Sequence, residues 1–282
     1  MRYNALIDTC QTTYAKTSSR TFVLSQQIRY SYSSPVTDLR QNFRTIPPSK
    51  YGVQHRRRWH LKVKDVKESD TRVSYDSFSN VVVQANVPQV DDTVEFEVEV
   101  EIELLDRQHD HQTSADLRYL NHTRLTKPDQ AIMELATEVR NGNVKSLCAK
   151  VHRALNYEWG ITSVNTTASE ALAGGRGVCQ DYAHIMLAAC RHAGVPARYV
   201  SGHLPGEGGS HAWIEVLHPV PGQSRSTWVA EGWDPTHDRK ITGDYLVIAV
   251  GRDYADVAPL SGTYNGDGVE GTLNVQKQLR LA

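Results

Sequence analysis

Hydrophobic and polar positions alternate most regularly between Val94 and Leu104. Val94, Phe96, Val98, Val100, Ile102 and Leu104 are separated one by one by Glu95, Glu97, Glu99, Glu101 and Glu103. A period of two over this length predicts a strand with one buried face and one acidic, solvated face. Shorter β-type runs lie at Phe22–Tyr32, Arg57–Val66, Arg72–Tyr75 and Val81–Ala85, with breaks at Pro35, Pro47 and Pro48. Residues 20–106 are therefore expected to form an antiparallel, sandwich-like β domain. Residues 107–126 read as a linker, with His109-Asp110-His111 solvated. Arg56-Arg57-Arg58 opens a strand and is expected to be exposed.

After Thr126 the period lengthens. Ile132, Leu135, Ala136 and Val139 recur at helical spacing behind Pro128 and stop at Asn141-Gly142. A second helix is predicted from about Val144 to Tyr157, with Leu147, Cys148, Val151 and Leu155 on one face. Thr167-Ala-Ser-Glu170 has the form of a capping box opening a short turn. The loop Gly174-Gly-Arg-Gly177 leads into a third helix, about Val178–His192, which Gly194 and Pro196 end. Strands are predicted at Ala197–Gly202, His211–Leu217, Thr227–Glu231 and Tyr245–Val250. Helices followed by strands, without βαβ alternation, make residues 127–282 an α+β domain.

Composition narrows the function classes. Lys plus Arg total 31 against 32 Asp plus Glu, so no global field draws nucleic acid or an anionic membrane. No run approaches the ~18 apolar residues of a membrane span. Met1–Arg20 lacks an apolar core of the secretory type, so a cytoplasmic location is expected. The four cysteines, Cys10, Cys148, Cys179 and Cys190, are too few for a disulfide scaffold and form no C-x-x-C pair. Cys179 and Cys190 are 11 positions apart on one helix, about 16 Å, beyond disulfide reach.

Cys179 stands apart from the other thiols. It lies in the first turn of a helix, near unpaired N–H groups and the positive end of the dipole, a place that favours a reactive thiolate. Gly174, Gly175 and Gly177 are read as leaving room for a substrate backbone. A nucleophilic thiol needs a base, and the base an orienting partner. His211 opens a strand behind the loop Pro205-Gly-Glu-Gly-Gly-Ser210, and Asp234 ends the next strand. If those strands pair with equal arms across residues 219–226, His211 and Asp234 lie side by side at one sheet end. Metal ligation by His203, His211, Asp234 and His237 is the alternative, but no H-x-x-x-H type spacing supports it. No metal or other cofactor is expected. His184 is read as a packing or hydrogen-bonding residue.

These segments resemble the transglutaminase-like superfamily of papain-like thiol enzymes. The resemblance rests on Ala171–His184, Gly194–Gly202, Ser210-His-Ala-Trp213 and Trp233-Asp-Pro-Thr-His237 in this order. Tyr30–Val36, Asp76-Ser-Phe-Ser-Asn80 and the alternating strand are similar to the β domain that precedes this core in bacterial members. Val250–Val257 also resembles them. One departure is a Ser in Asp76–Asn80 where members often have Gly. The resemblance implies Cys179 as nucleophile, His211 as base and then acid, and Asp234 as orienter. It implies acyl transfer through a thioester on a peptide or protein substrate. The oxyanion would be held by the Cys179 N–H and a side-chain donor, for which Tyr157, Trp159 and Gln180 are candidates. Gly177, Trp213 and Trp233 are candidates to line the cleft. Hydrolysis is favoured because water is the default acceptor, with amine crosslinking second and a non-catalytic peptide-binding module third.

Overall fold

The computed structural model describes residues 18–105, 110–114, 116–140, 142–220, 222 and 227–282. Cys10, His109 and most of the turn between the two site strands lie outside the described residues. The chain begins with seven strands: β1 (Ser19–Tyr32), β2 (Val36–Phe43), β3 (Lys50–Tyr51), β4 (Gln54–Lys64), β5 (Asp70–Tyr75), β6 (Val81–Val90) and β7 (Thr93–Leu105). The alternation along β7 appears directly in its burial. All six of its apolar residues from Val94 to Leu104 are buried, packed with Ile28 of β1, Phe43 of β2 and Val83 and Val87 of β6. The glutamates on the other face are not solvated alone, because β7 runs between β1 and β4. Arg29 pairs with Glu95 at 2.8 Å, Arg58 with Glu101 at 2.6 Å, Arg57 with Glu103 and Lys64 with Glu97. Two of the arginines expected to be merely exposed thus neutralise the acidic face.

The stretch expected to be a linker contributes structure to the second domain. β8 (His111–Ser114) pairs with a strand of the later sheet, and a 3-10 turn follows at Leu117–Leu120. Then come α1 (Gln130–Arg140), α2 (Val144–Ala154), β9 (Asn156–Tyr157), α3 (Ala168–Gly174), β10 (Arg176–Gly177) and α4 (Cys179–His192). The second helix is shorter than predicted. Leu155 turns extended, and Asn156–Tyr157 pair in parallel with Arg176–Gly177. Next are β11 (Ala197–His203), β12 (His211–Pro219), β13 (Thr227–Asp234), β14 (Arg239–Lys240), β15 (Leu246–Gly251) and α5 (Tyr254–Val257). They form an antiparallel sheet in the order β14-β13-β12-β11-β15, with β8 on β13. Residues Gln180 to Arg191 of α4 are all buried between this sheet and the other helices. No helix among the described residues is long and apolar enough to cross a membrane.

The last two strands differ from the expectation that 127–282 is one domain. β16 (Leu260–Asn265) pairs with β2, and β17 (Gly271–Leu281) pairs with β1 over eleven positions. The end of the chain therefore completes both sheets of the N-terminal sandwich, ordered β17-β1-β7-β4-β3 and β16-β2-β6-β5. β17 is mostly exposed, so it carries little of the alternation that marks a strand in sequence. In the Asp76–Asn80 turn Ser79 takes φ +66°, the region that favours glycine, so the serine there is held in a conformation glycine adopts more readily.

Candidate active site

Cys179 is the first residue of α4, and its half-buried side chain packs at the rim of the helical core. As the first helical residue, its N–H has no intrahelical acceptor. The helix start is anchored by Asp181, whose Oδ2 accepts from the Val178 N–H and from Thr162 Oγ1, both at 2.8 Å. A Cβ on Gly177 would lie 2.7 Å from Asp181 Oδ2, so glycine is needed there for the anchor to close. Gly177 is buried against this carboxylate and does not line the cleft, contrary to its sequence reading.

His211 is the first residue of β12, and Asp234 is the last of β13. The observed register pairs Ile214 with Trp233 and Pro219 with Trp228. This is two residues away from the equal-arm pairing, so Asp234 is diagonal to His211 instead of opposite. A shift of two keeps every side chain on its face. The imidazole Nε2 reaches Asp234 Oδ2 at 2.8 Å. Cys179 lines one cleft with the same imidazole, and its side chain favours the proton on His211. With Nε2 on Asp234, Nδ1 is the nitrogen left for the thiol, and Glu207 Oε2 also approaches Nδ1 at 3.0 Å. The three residues singled out for chemistry are therefore brought together at the start of α4.

Asp234 is completely buried and saturated with donors. Its Oδ2 also accepts from His237 Nδ1 at 2.7 Å and from the Tyr245 hydroxyl at 2.6 Å. Its Oδ1 accepts from the N–H groups of Thr236 at 2.9 Å and His237 at 3.3 Å. Burial opposes its ionisation, but these hydrogen bonds and the His211 charge hold the carboxyl far below its ordinary range. Burial likewise opposes charge on His211, yet its interactions with Asp234, Cys179 and Glu207 push the imidazole up to about 11. Tyr245 loses acidity through burial beside Asp234.

Two clefts meet at His211. One, about 270 Å³, is lined by Cys179, Gln180, Tyr199, Ser201 and Tyr254. The other, about 370 Å³, is lined by Tyr157, Glu207, Ser210 and His237, and Trp159 borders both. Trp159 and Tyr157 are exposed and meet edge to face with centroids 6.3 Å apart. Burial, with Cys179 and Glu207 nearby, pushes the Tyr157 phenol up to about 12. Gln180 Nε2 donates to Ser163 O at 3.4 Å, and its second amide hydrogen is available at the cleft wall. Trp213 and Trp233 lie elsewhere. Trp213 is fully buried behind His211, stacked on its ring at 6.1 Å and edge-on to Tyr245 at 5.1 Å. Trp233 packs in the helical core. Both back the site instead of lining it.

Other histidines take structural roles. His184 is buried in α4, and its Nε2 accepts from the Tyr254 N–H at 3.2 Å; burial lowers it to about 3. His203 is buried, with Nδ1 on Gly209 O at 3.2 Å, and burial lowers it to about 4. Among the described residues, Glu207, His211 and His237 form the group whose ligand atoms lie close enough to hold a metal, a set without the expected His203 and Asp234. Glu207 and Tyr245 were invisible as site residues in sequence, one inside a glycine loop and the other at a strand start. His237 was visible as a candidate metal ligand and as part of the Trp233–His237 segment.

Residues 129–232 match the profile of the transglutaminase-like superfamily, and residues 22–103 match the bacterial transglutaminase-like N-terminal region. Over 140 residues the chain is 42% identical to an uncharacterized protein of Mycobacterium leprae, covering 45% of this chain and 46% of that protein. Over 131 residues it is 38% identical to an uncharacterized protein of Mycobacterium tuberculosis, covering 42% and 40%. The match thus spans less than half the length of these relatives. A solved structure of a candidate cysteine protease from Cytophaga hutchinsonii shares the fold, with a TM-score of 0.72 at 21% identity, covering 94% of this chain and 91% of that one. The chain belongs to the transglutaminase-like superfamily and carries the bacterial transglutaminase-like N-terminal region ahead of its core.

Proposed function

We propose that the chain is a thiol-dependent hydrolase of peptide or carboxamide bonds in protein or peptide substrates. One observation carries the reading: a single imidazole is held by buried Asp234 and shares a cleft wall with a half-exposed thiol at a helix start, where two clefts meet. The Cys179 thiolate attacks the carbonyl carbon, and the oxyanion faces the Cys179 N–H and the Gln180 amide. The His211 imidazolium gives its Nδ1 proton to the departing amine, leaving a thioester. The neutral imidazole then takes a proton from water as that water attacks the thioester. Asp234 keeps Nε2 protonated throughout and stabilises the imidazolium when it forms.

The test is incubation with a peptide library, read by mass spectrometry. Paired fragments that together gain one water are expected from the wild type, with none from Cys179→Ala. Fragments that persist in Cys179→Ala would overturn the thiol's role, and an inert wild type whose thiols all label slowly with iodoacetamide at pH 6 would overturn the reading in favour of a binding module. A second reading, transfer to an amine, is favoured by one feature. The cleft beside His211 offers the Glu207 carboxylate and the exposed Trp159 face, which suit an alkylammonium group. Added primary amine appearing in product with loss of ammonia would select it.

A further inference from the structure

We propose that Glu207, His211 and His237 form a binding site for a borderline divalent transition metal such as Zn²⁺, and that the bound metal silences the thiol centre. The ligand atoms of the three residues lie within 4.8 Å of one another. Glu207 is 3.0 Å from His211 Nδ1 through Oε2 and 3.2 Å from His237 Nε2 through Oε1. Tetrahedral zinc with bonds of about 2.0–2.1 Å has ligand-to-ligand edges of roughly 3.3–3.4 Å. Glu207 meets the two rings through different oxygens, so one carboxylate oxygen has to turn between them and the ligand atoms have to close around the ion.

The far side of both rings supplies an independent observation. One buried oxygen, Asp234 Oδ2, holds His211 Nε2 at 2.8 Å and His237 Nδ1 at 2.7 Å. A carboxylate behind a histidine is the usual outer partner of a metal-binding imidazole, fixing its tautomer and orientation. Here a single carboxylate does this for two rings at once, so both remaining nitrogens are aimed at the same acid. Each ring has a carboxylate oxygen on both sides, an excess of negative groups that suits a cation at the Glu207 side. Two imidazoles and one carboxylate are also the donor set of zinc sites that keep a fourth position open. The three residues line one cleft, which meets at His211 the cleft that Cys179 lines.

The metal would bind His211 through Nδ1, the nitrogen the thiol uses. Coordination releases any proton on that atom and removes the imidazole as a proton donor. The binding itself does not depend on the hydrolytic reading; only its consequence for turnover does. The test therefore reads metal uptake and thiol chemistry on the full chain. Calorimetric titration with Zn²⁺ should show one saturable site per chain, and Co²⁺ should give the visible bands of a four-coordinate centre. Zn²⁺ should slow iodoacetamide labelling of Cys179 by roughly tenfold or more, and EDTA should restore it. Glu207→Gln and His237→Gln should each weaken Zn²⁺ binding by roughly tenfold or more and lose the protection. Absence of saturable Zn²⁺ binding by the wild type would overturn the site. So would full protection of Cys179 in both variants, which would place the metal on the thiol alone.

Discussion

Asp234 Oδ2 accepts from His211, His237 and Tyr245 while the residue is wholly buried, so its charge is set by these donors. The pair it makes with His211 gives stability a definite pH window. The raised imidazole contributes stability that is complete below its ordinary 6.5 and fades as pH rises toward about 11. The lowered carboxyl contributes stability that is complete above its ordinary 3.8 and is lost on acidification below it. Both contributions are whole between those two values. The melting-temperature deficit of Asp234→Asn should accordingly be largest between pH 3.8 and 6.5 and shrink steadily toward pH 10. A deficit that grows with alkalinity would mean the imidazolium is not the stabilised form. The same variant presents an amide where Nε2–H must be accepted, so peptide turnover should drop by roughly 10³–10⁴-fold. Removal of the Tyr245 hydroxyl leaves the pair in place. Tyr245→Phe should cost about 1.5–3 kcal/mol in urea unfolding, the range for one hydrogen bond to a charged group.

β15 lies at the edge of its sheet, where its outward N–H and C=O groups need partners. Side-chain amides from the other domain supply them. Gln54 donates to Val247 O and accepts from Val247 N–H, both at 2.8 Å. Asn80 does the same with Val250, again at 2.8 Å in each direction. Asn80→Ala should leave two buried backbone groups unpaired and cost roughly 2–4 kcal/mol in chemical unfolding. A loss below about 0.5 kcal/mol would mean that the edge is satisfied otherwise. Asn80 also shows where sequence reading reaches its limit. Strong periodicity made β7, α1 and α2 legible, because each buries one face of a regular pattern, and α4 was legible from the glycine loop before it and the Gly194 and Pro196 stop after it. The Cys179, His211 and Asp234 positions were legible because each sits at the end of such an element. β16 and β17 were not, since edge strands with little buried area carry little alternation. Nor was the two-residue register shift of β12 on β13, which an even displacement leaves unmarked in the pattern of faces. Gly177 and the two tryptophans were misplaced for another reason. Composition marks a glycine or an aromatic residue, but what fills the space beside it depends on tertiary packing.

The chain leaves the sandwich after β7, builds the thiol domain, and returns with β16 and β17 to close both sandwich sheets. The two halves share more than a boundary. Besides the Gln54 and Asn80 amides, Tyr51 donates to Glu215 Oε2 at 2.6 Å, and Glu215 is paired with Arg198 at 2.7 Å. Glu215 and Arg198 are both buried, and a buried ion pair tolerates loss of a partner poorly. Apolar packing crosses as well: Leu24 of β1 lies in the helical core and Leu246 of β15 in the sandwich core. A fragment of residues 110–259 would forfeit the four backbone hydrogen bonds on β15 and the Tyr51 hydroxyl, together about 2.5–7.5 kcal/mol. That is comparable with the ~5–15 kcal/mol by which a whole domain is stable. The full chain should therefore unfold in one calorimetric transition, with van't Hoff and calorimetric enthalpies agreeing. The 110–259 fragment should show no cooperative melt, and its Cys148 and Cys190, buried in the intact chain, should label with iodoacetamide as readily as Cys179. A fragment that melts cooperatively within a few degrees of the full chain would mean that the thiol domain is self-sufficient. The sandwich would then have to be assigned a role other than holding the β15 edge, and with it the sheet on which His211 and Asp234 stand.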